Sequence, residues 1–127
     1  LFPFIKKFKS VEEILTSHTL AALGDAFVNF VYSLALSKKK NRPVGVRAKG
    51  SMLSKSLKDS GLRGLLPSRM DSYKQADAAE ALIVYAWMRQ LISIDEIVSI
   101  LSEKEEAADA FTELLVEIKR RIDKKGV

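Results

Sequence analysis

The sequence predicts an all-α domain. Three observations carry that reading. Apolar residues recur at helical spacing over long stretches, Ser-x-x-Glu helix-start signatures punctuate the chain, and glycine and proline cluster only at 41 to 50 and 61 to 67. No stretch alternates with the two-residue period of a half-buried strand. With 127 residues, 47% of them hydrophobic, the chain suits a single compact domain spanning 1–127 with a core of its own.

The elements follow in order. The N-terminal LFPFIKKFK carries lysines and aromatics, and its apolar run is too short for the core of a signal peptide. Ser10 with Glu13 forms a capping-box pattern, in which hydroxyl and carboxylate each satisfy an orphan amide, and so predicts a first helix. A long apolar stretch at about 18 to 37 predicts the second. It approaches the length of a membrane span, but Gly24, Asp25 and Asn29 sit in its middle, so a buried core helix without a membrane is expected. Shorter and longer patterns at about 50 to 60 and 71 to 91 give the third and fourth helices. Ser93 with Glu96 starts a fifth, and Ser102 with Glu105 starts a sixth over 103 to 125. In that last helix Ala107, Phe111, Leu114, Leu115, Ile118 and Ile122 form one apolar stripe. Glutamates at its start and cations at its end complement the helix dipole.

Composition excludes several chemistries. There is no cysteine, so disulfides, thiolate zinc sites and cysteine nucleophiles are absent, in keeping with a reducing, cytoplasmic setting. The single histidine, His18, cannot build a histidine-rich metal cluster and is read as a capping or packing residue. A net charge of +5 suits an anionic partner, nucleic acid among them, although it also serves solubility.

The carboxylates are the anomaly. Asp25 is the one charged residue in LAALGDAFVNFVYSLAL, and an ionised carboxylate in apolar surroundings costs several kcal/mol unless compensated. Asp77 and Glu80 sit among alanines in QADAAEALIVYAWM, about 60° apart on one helix face. Two compensations are open. Asn29, Tyr32 or Tyr73 caps Asp25 while Asp77 lies at an exposed helix start, or all three carboxylates converge on a divalent cation. Hard oxygen donors without sulfur suit Mg²⁺ or Mn²⁺, and such a site suits phosphodiester hydrolysis. The segment from Lys38 to Lys55 supplies Lys38, Lys39, Lys40, Arg42, Arg47, Lys49 and Lys55, which read either as a solvated loop or, as a cluster, as a phosphate-binding surface.

At these residues the chain resembles the ribonuclease III endonuclease domain. The Leu-Gly-Asp-Ala-Val-type signature is matched by Leu23, Gly24, Asp25, Ala26 and Phe27, and the Ala-Asp-x-x-Glu-Ala-Leu-Ile motif by Ala76 to Ile83. The intervening GSMLSKSLKDSGLRGLLP, Gly50 to Pro67, is similar to the family's linking segment. The chain departs from the signature at Ala21, where the family usually has glutamate, and at Asn29, where an acidic residue is frequent. The resemblance implies a stand-alone ribonuclease III-like domain, without a separate double-stranded-RNA-binding domain. It implies a homodimer that hydrolyses double-stranded or structured RNA with Mg²⁺ or Mn²⁺ held by Asp25, Asp77 and Glu80. The alternative is a catalytically weakened scaffold that binds RNA or a ribonucleoprotein partner without cutting.

Overall fold

A computed structural model describes residues 2–67 and 70–127; Leu1 of the N-terminal stretch lies outside them. Among the described residues there are six α-helices: α1 (Val11–Leu15), α2 (His18–Lys40), α3 (Gly50–Asp59), α4 (Ser72–Met88), α5 (Ile94–Glu103) and α6 (Ala107–Lys125). Short 3-10 turns cover Pro3–Lys7 and Leu62–Leu65, and no strand occurs among the described residues. The fold is all-α, as the periodicity predicts.

The caps show why the helices begin where they do. Ser93 accepts from the Glu96 amide while Glu96 accepts from the Ser93 amide, a complete capping box. Ser10 accepts from the Glu13 amide, but the Glu13 carboxylate reaches back to the amide of Lys9 instead. The expected box at Ser102 and Glu105 does not form. Ser102 is inside α5, its hydroxyl donating to the Val98 carbonyl, and α6 starts at Ala107 rather than 103. The motif was real as a pattern, yet the apolar period of α5 runs through Leu101 and holds Ser102 in that helix.

Helix α4 is the axle of the fold. From Ala78 to Ala86 its residues are all buried, because α1, α2, α3 and α6 pack around it. Small alanines at 76, 78, 79 and 81 on its first turns let neighbours approach closely. One continuous core joins all the helices, from Ile5 to Ile122.

Helix α2 differs from expectation. It is long and apolar enough to cross a membrane by length and composition, but it is buried on only one face, through Leu20, Ala21, Gly24, Val28, Val31 and Ala35. That face lies on α4 and α5. Leu23 and Phe30 are 45% and 54% exposed on the other side. It is a half-buried helix with an uncovered apolar face.

Candidate functional site

The site begins with a glycine. A Cβ on Gly24 would lie 2.2 Å from the Glu80 carbonyl oxygen and 2.5 Å from its carbonyl carbon, closer than atoms can approach. Only glycine allows the backbones of α2 and α4 to touch here. The contact sets Asp25, the next residue of α2, beside Glu80.

Glu80 is 6% exposed, and its carboxyl is placed to hydrogen-bond Asp25 when it carries a proton. Burial pushes the Glu80 carboxyl up to about 8, helped by that hydrogen bond and by the charges of Asp25 and Asp77; Arg47 opposes the rise. At neutral pH Glu80 therefore holds a proton. Asp77, one turn earlier on α4, is exposed and stands apart from the pair. Among the described residues no group of three or more histidine and carboxylate side chains is gathered closely enough to hold a metal by itself. Of the expected carboxylates, two are brought together and the third adds its field.

The other partners of Asp25 answer the question of its compensation. The Asn29 amide donates to Asp25 Oδ1 at 3.4 Å, and the Arg47 guanidinium lies 3.6 Å from the same oxygen. Tyr32 packs against Phe111 instead, and Tyr73 is 82% exposed. On the α4 side, a cavity of about 120 Å³ is lined by Thr16, Ser17, His18, Ala21, Lys74 and Asp77, among others. His18 is the first residue of α2, and Ala21 lies one turn before Asp25, so both border the site.

Arg47 reaches Asp25 because the segment 43–49 is strapped along α2. The Ser33 hydroxyl accepts from the Val46 amide at 2.9 Å and donates to the Val46 carbonyl at 3.0 Å. Ser37 accepts from the Val44 amide at 2.8 Å, and Asn29 Oδ1 accepts from the Ala48 amide at 2.7 Å. Residues 29, 33 and 37 share one face of the helix, while 44, 46 and 48 share one edge of the extended segment. This ladder was missed in the sequence, though its signal was present: polar residues spaced by four along an apolar helix.

The seven expected cations are all exposed. Lys39 donates to the Lys104 carbonyl, and Lys55 pairs with Asp59 at 2.6 Å. The side chains of Lys38, Lys40, Arg42 and Lys49 have no hydrogen-bond or ion-pair partner among the described residues. They do not ring the carboxylates. Lys38 to Lys40 sit at the far end of α2, about 20 Å along its axis from Asp25, and the strap returns from there to Arg47.

The ribonuclease III family model matches residues 18–124, which span α2 through nearly all of α6. The chain belongs to the ribonuclease III family. A search of curated proteins finds no match. Within this ribonuclease III domain, the matched region contains Gly24, the Asp25–Glu80 pair, Asp77 and the strap, so the geometry above lies wholly inside the family's own segment.

Proposed function

We propose that this domain is a divalent-metal-dependent endoribonuclease that hydrolyses phosphodiester bonds in double-stranded or structured RNA. The observation that carries the reading is the carboxyl pair at the α2–α4 contact inside the family-matched region, with Glu80 buried and Asp25 half-exposed beside it. A carboxyl kept protonated near neutrality by burial, with a second carboxylate beside it, is a place where a cation can replace a proton. The donor set fits Mg²⁺ or Mn²⁺ in a form that retains most of its waters, because Mg²⁺ is commonly held by one or two carboxylates plus substrate phosphate. It does not fit a closed cage of protein ligands.

In this reading Asp25 and Glu80 hold the ion, and Asp77 adds negative charge from one turn away. A bound ion supplies an activated water and stabilises charge on the phosphoryl oxygens. Lys38, Lys40, Arg42, Arg47 and Lys49 grip the RNA backbone along the line from the end of α2 to the carboxyl pair. Duplex RNA is recognised mainly by shape, phosphates and 2′-hydroxyls, and such a line follows a backbone without reading bases. The uncovered face of α2, with Leu23 and Phe30, is the surface on which a second copy would pack to give a two-fold dimer.

Long duplex RNA incubated with the protein and Mg²⁺ is expected to be cut, and Glu80→Gln is expected to abolish cutting while leaving the protein folded. Folded wild-type protein that never cuts, across salt and metal conditions, overturns the enzyme reading. The scaffold alternative draws on specific features: two carboxylates converge rather than three, Ala21 replaces a carboxylate, and Arg47 already neutralises Asp25. Duplex RNA binding without any Mg²⁺ or Mn²⁺ binding at millimolar concentration would establish it. Sedimentation of wild type against Phe30→Asp tests the dimer, with a shift from dimer to monomer expected.

A further inference from the structure

The strap raises a physical question of its own. Segment 43–49 buries little, since Pro43, Gly45, Val46, Arg47 and Lys49 are exposed, yet three side chains of α2 hold it in place. Ordering a loop costs roughly 1 kcal/mol or more of backbone entropy per residue, and little apolar burial offsets it here. What the ladder fixes is the position of Arg47. That residue lies between the rungs at Val46 and Ala48, the two amides nearest the carboxyl pair.

Arg47 gains little for stability where it stands. Its side chain is 79% exposed and its separation from Asp25 is 3.6 Å, so the pair contributes little. Because 44, 46 and 48 turn their backbone groups toward α2, the amides of Gly45 and Arg47 face the other edge. Neither of those amides has a hydrogen-bond partner among the described residues. A guanidinium and outward amides at the border of a carboxyl pair make a surface suited to phosphate oxygens.

Asn29 is the link. Its carbonyl oxygen accepts from the strap at Ala48, and its amide nitrogen donates to Asp25. Among the described residues no other side chain of α2 bonds both. An aspartate at 29 would lose the donor and set a second negative charge against Asp25, which gives the amide at this position a physical reason.

We propose that Asn29 is a positioning residue that, through the ladder, holds Arg47 to bind one phosphate of the RNA backbone beside Asp25 and Glu80. The inference rests on the RNA-binding reading above. It separates two classes of cation in this chain: Arg47 is aimed, whereas Lys38, Lys40 and Arg42 are free-standing charges.

The test is a double-mutant cycle read as the affinity for a short RNA duplex, by fluorescence anisotropy in EDTA so that nothing is cut. Arg47→Ala is expected to weaken binding about fivefold and to reduce the slope of log affinity against log salt by about one. Asn29→Ala is expected to weaken binding by a similar factor, and the double variant to be no weaker than Arg47→Ala alone. Ser33→Ala, which removes the middle rung without touching Asp25, is expected to act in the same direction more weakly. Hydrogen exchange at the Ala48 amide reports whether the strap has come loose. Additive effects, or a loosened strap with wild-type affinity and salt slope, overturn the proposal while leaving the RNA-binding reading intact. A folded wild type that does not bind duplex RNA overturns both.

Discussion

Two clusters of carboxylates in this molecule respond to their surroundings in opposite ways. Where α5 meets α6, Arg121 donates to Glu117 and Glu96, each at 2.7 Å, and to the Leu91 carbonyl at 2.8 Å. The Arg121 hydrogen bond and the Ser93 amide hold Glu96 down to about 2, and Arg120 with Arg121 holds Glu117 down to about 2. Where α2 meets α4, the Glu80 carboxyl is instead pushed up to about 8. The first cluster has its counter-charge in full contact. The second has an exposed arginine at 3.6 Å and the Asn29 amide at 3.4 Å, both on Asp25, and among the described residues no cation pairs with Glu80. A protein that can build the first arrangement has left the second incomplete, and incompletely neutralised carboxyls in a packed crossing are what a cation-dependent site requires.

The largest effect should come from removing the contact that creates the second cluster. Gly24→Ala places a methyl inside the Glu80 carbonyl, so α2 and α4 must separate along a crossing that is otherwise close-packed. A loss of more than about 3 kcal/mol is expected, measured by urea unfolding. An alanine variant of near wild-type stability would show that the helices can part cheaply.

Next comes the pH dependence of Glu80 itself. Its folded pKa is raised, so the unfolded chain ionises first: stability is fully present below about 4.5 and falls as pH rises toward about 8. The loss should be a few kcal/mol, since the group is buried. Glu80→Gln should flatten that part of the profile in thermal melts. Saturating Mg²⁺ should restore stability to the wild type at pH 8 and leave the glutamine variant less affected, which would sharpen the contrast between the two clusters.

The smallest effect belongs to the neutralised cluster and has the opposite sign. Glu96 and Glu117 have lowered folded pKa values, so the stability they contribute is present above about 4.5 and disappears as pH falls toward 2. Arg121→Gln should remove about 1 kcal/mol at neutral pH, because Glu96 is well exposed and solvent screens the pair. Acid melts of the variant should be correspondingly flatter than those of the wild type.

Much of this was legible in the sequence, and the boundary is physical. The helices follow from apolar periodicity and from the caps at Ser10 and Ser93. The failed box at Ser102 shows a local motif overruled by the longer stripe through Leu101. The oddity of Asp25 among apolar residues pointed to the site, and Asp25 does meet Glu80. The exposure of Asp77 was one of two readings left open, and spacing could not choose between them, because side chains at i and i+3 share a face but need not share a depth. The role of Gly24 was hidden for another reason: what a glycine permits depends on the helix that crosses it, here at Glu80. The four-residue spacing of Asn29, Ser33 and Ser37 marks one side of the ladder, but what lies against it depends on a loop returning antiparallel along α2, a tertiary event the spacing does not name.

That ladder also works as a vernier. Four residues of helix advance about 6.0 Å, whereas two residues of extended chain advance about 6.6 Å, so each rung slips by about 0.6 Å against the last. Three rungs absorb the slip within hydrogen-bond tolerance. A fourth would fall on residue 25 opposite residue 50, where the phase error is greatest and the chain has already turned into α3. Asp25 thus lies one step past the last rung, where α3 begins, and among the described residues its carboxylate has no backbone partner from the strap. Inserting or deleting one residue between 43 and 48 would reset the phase, turn the other edge of the segment toward α2 and carry Arg47 away from the carboxyl pair.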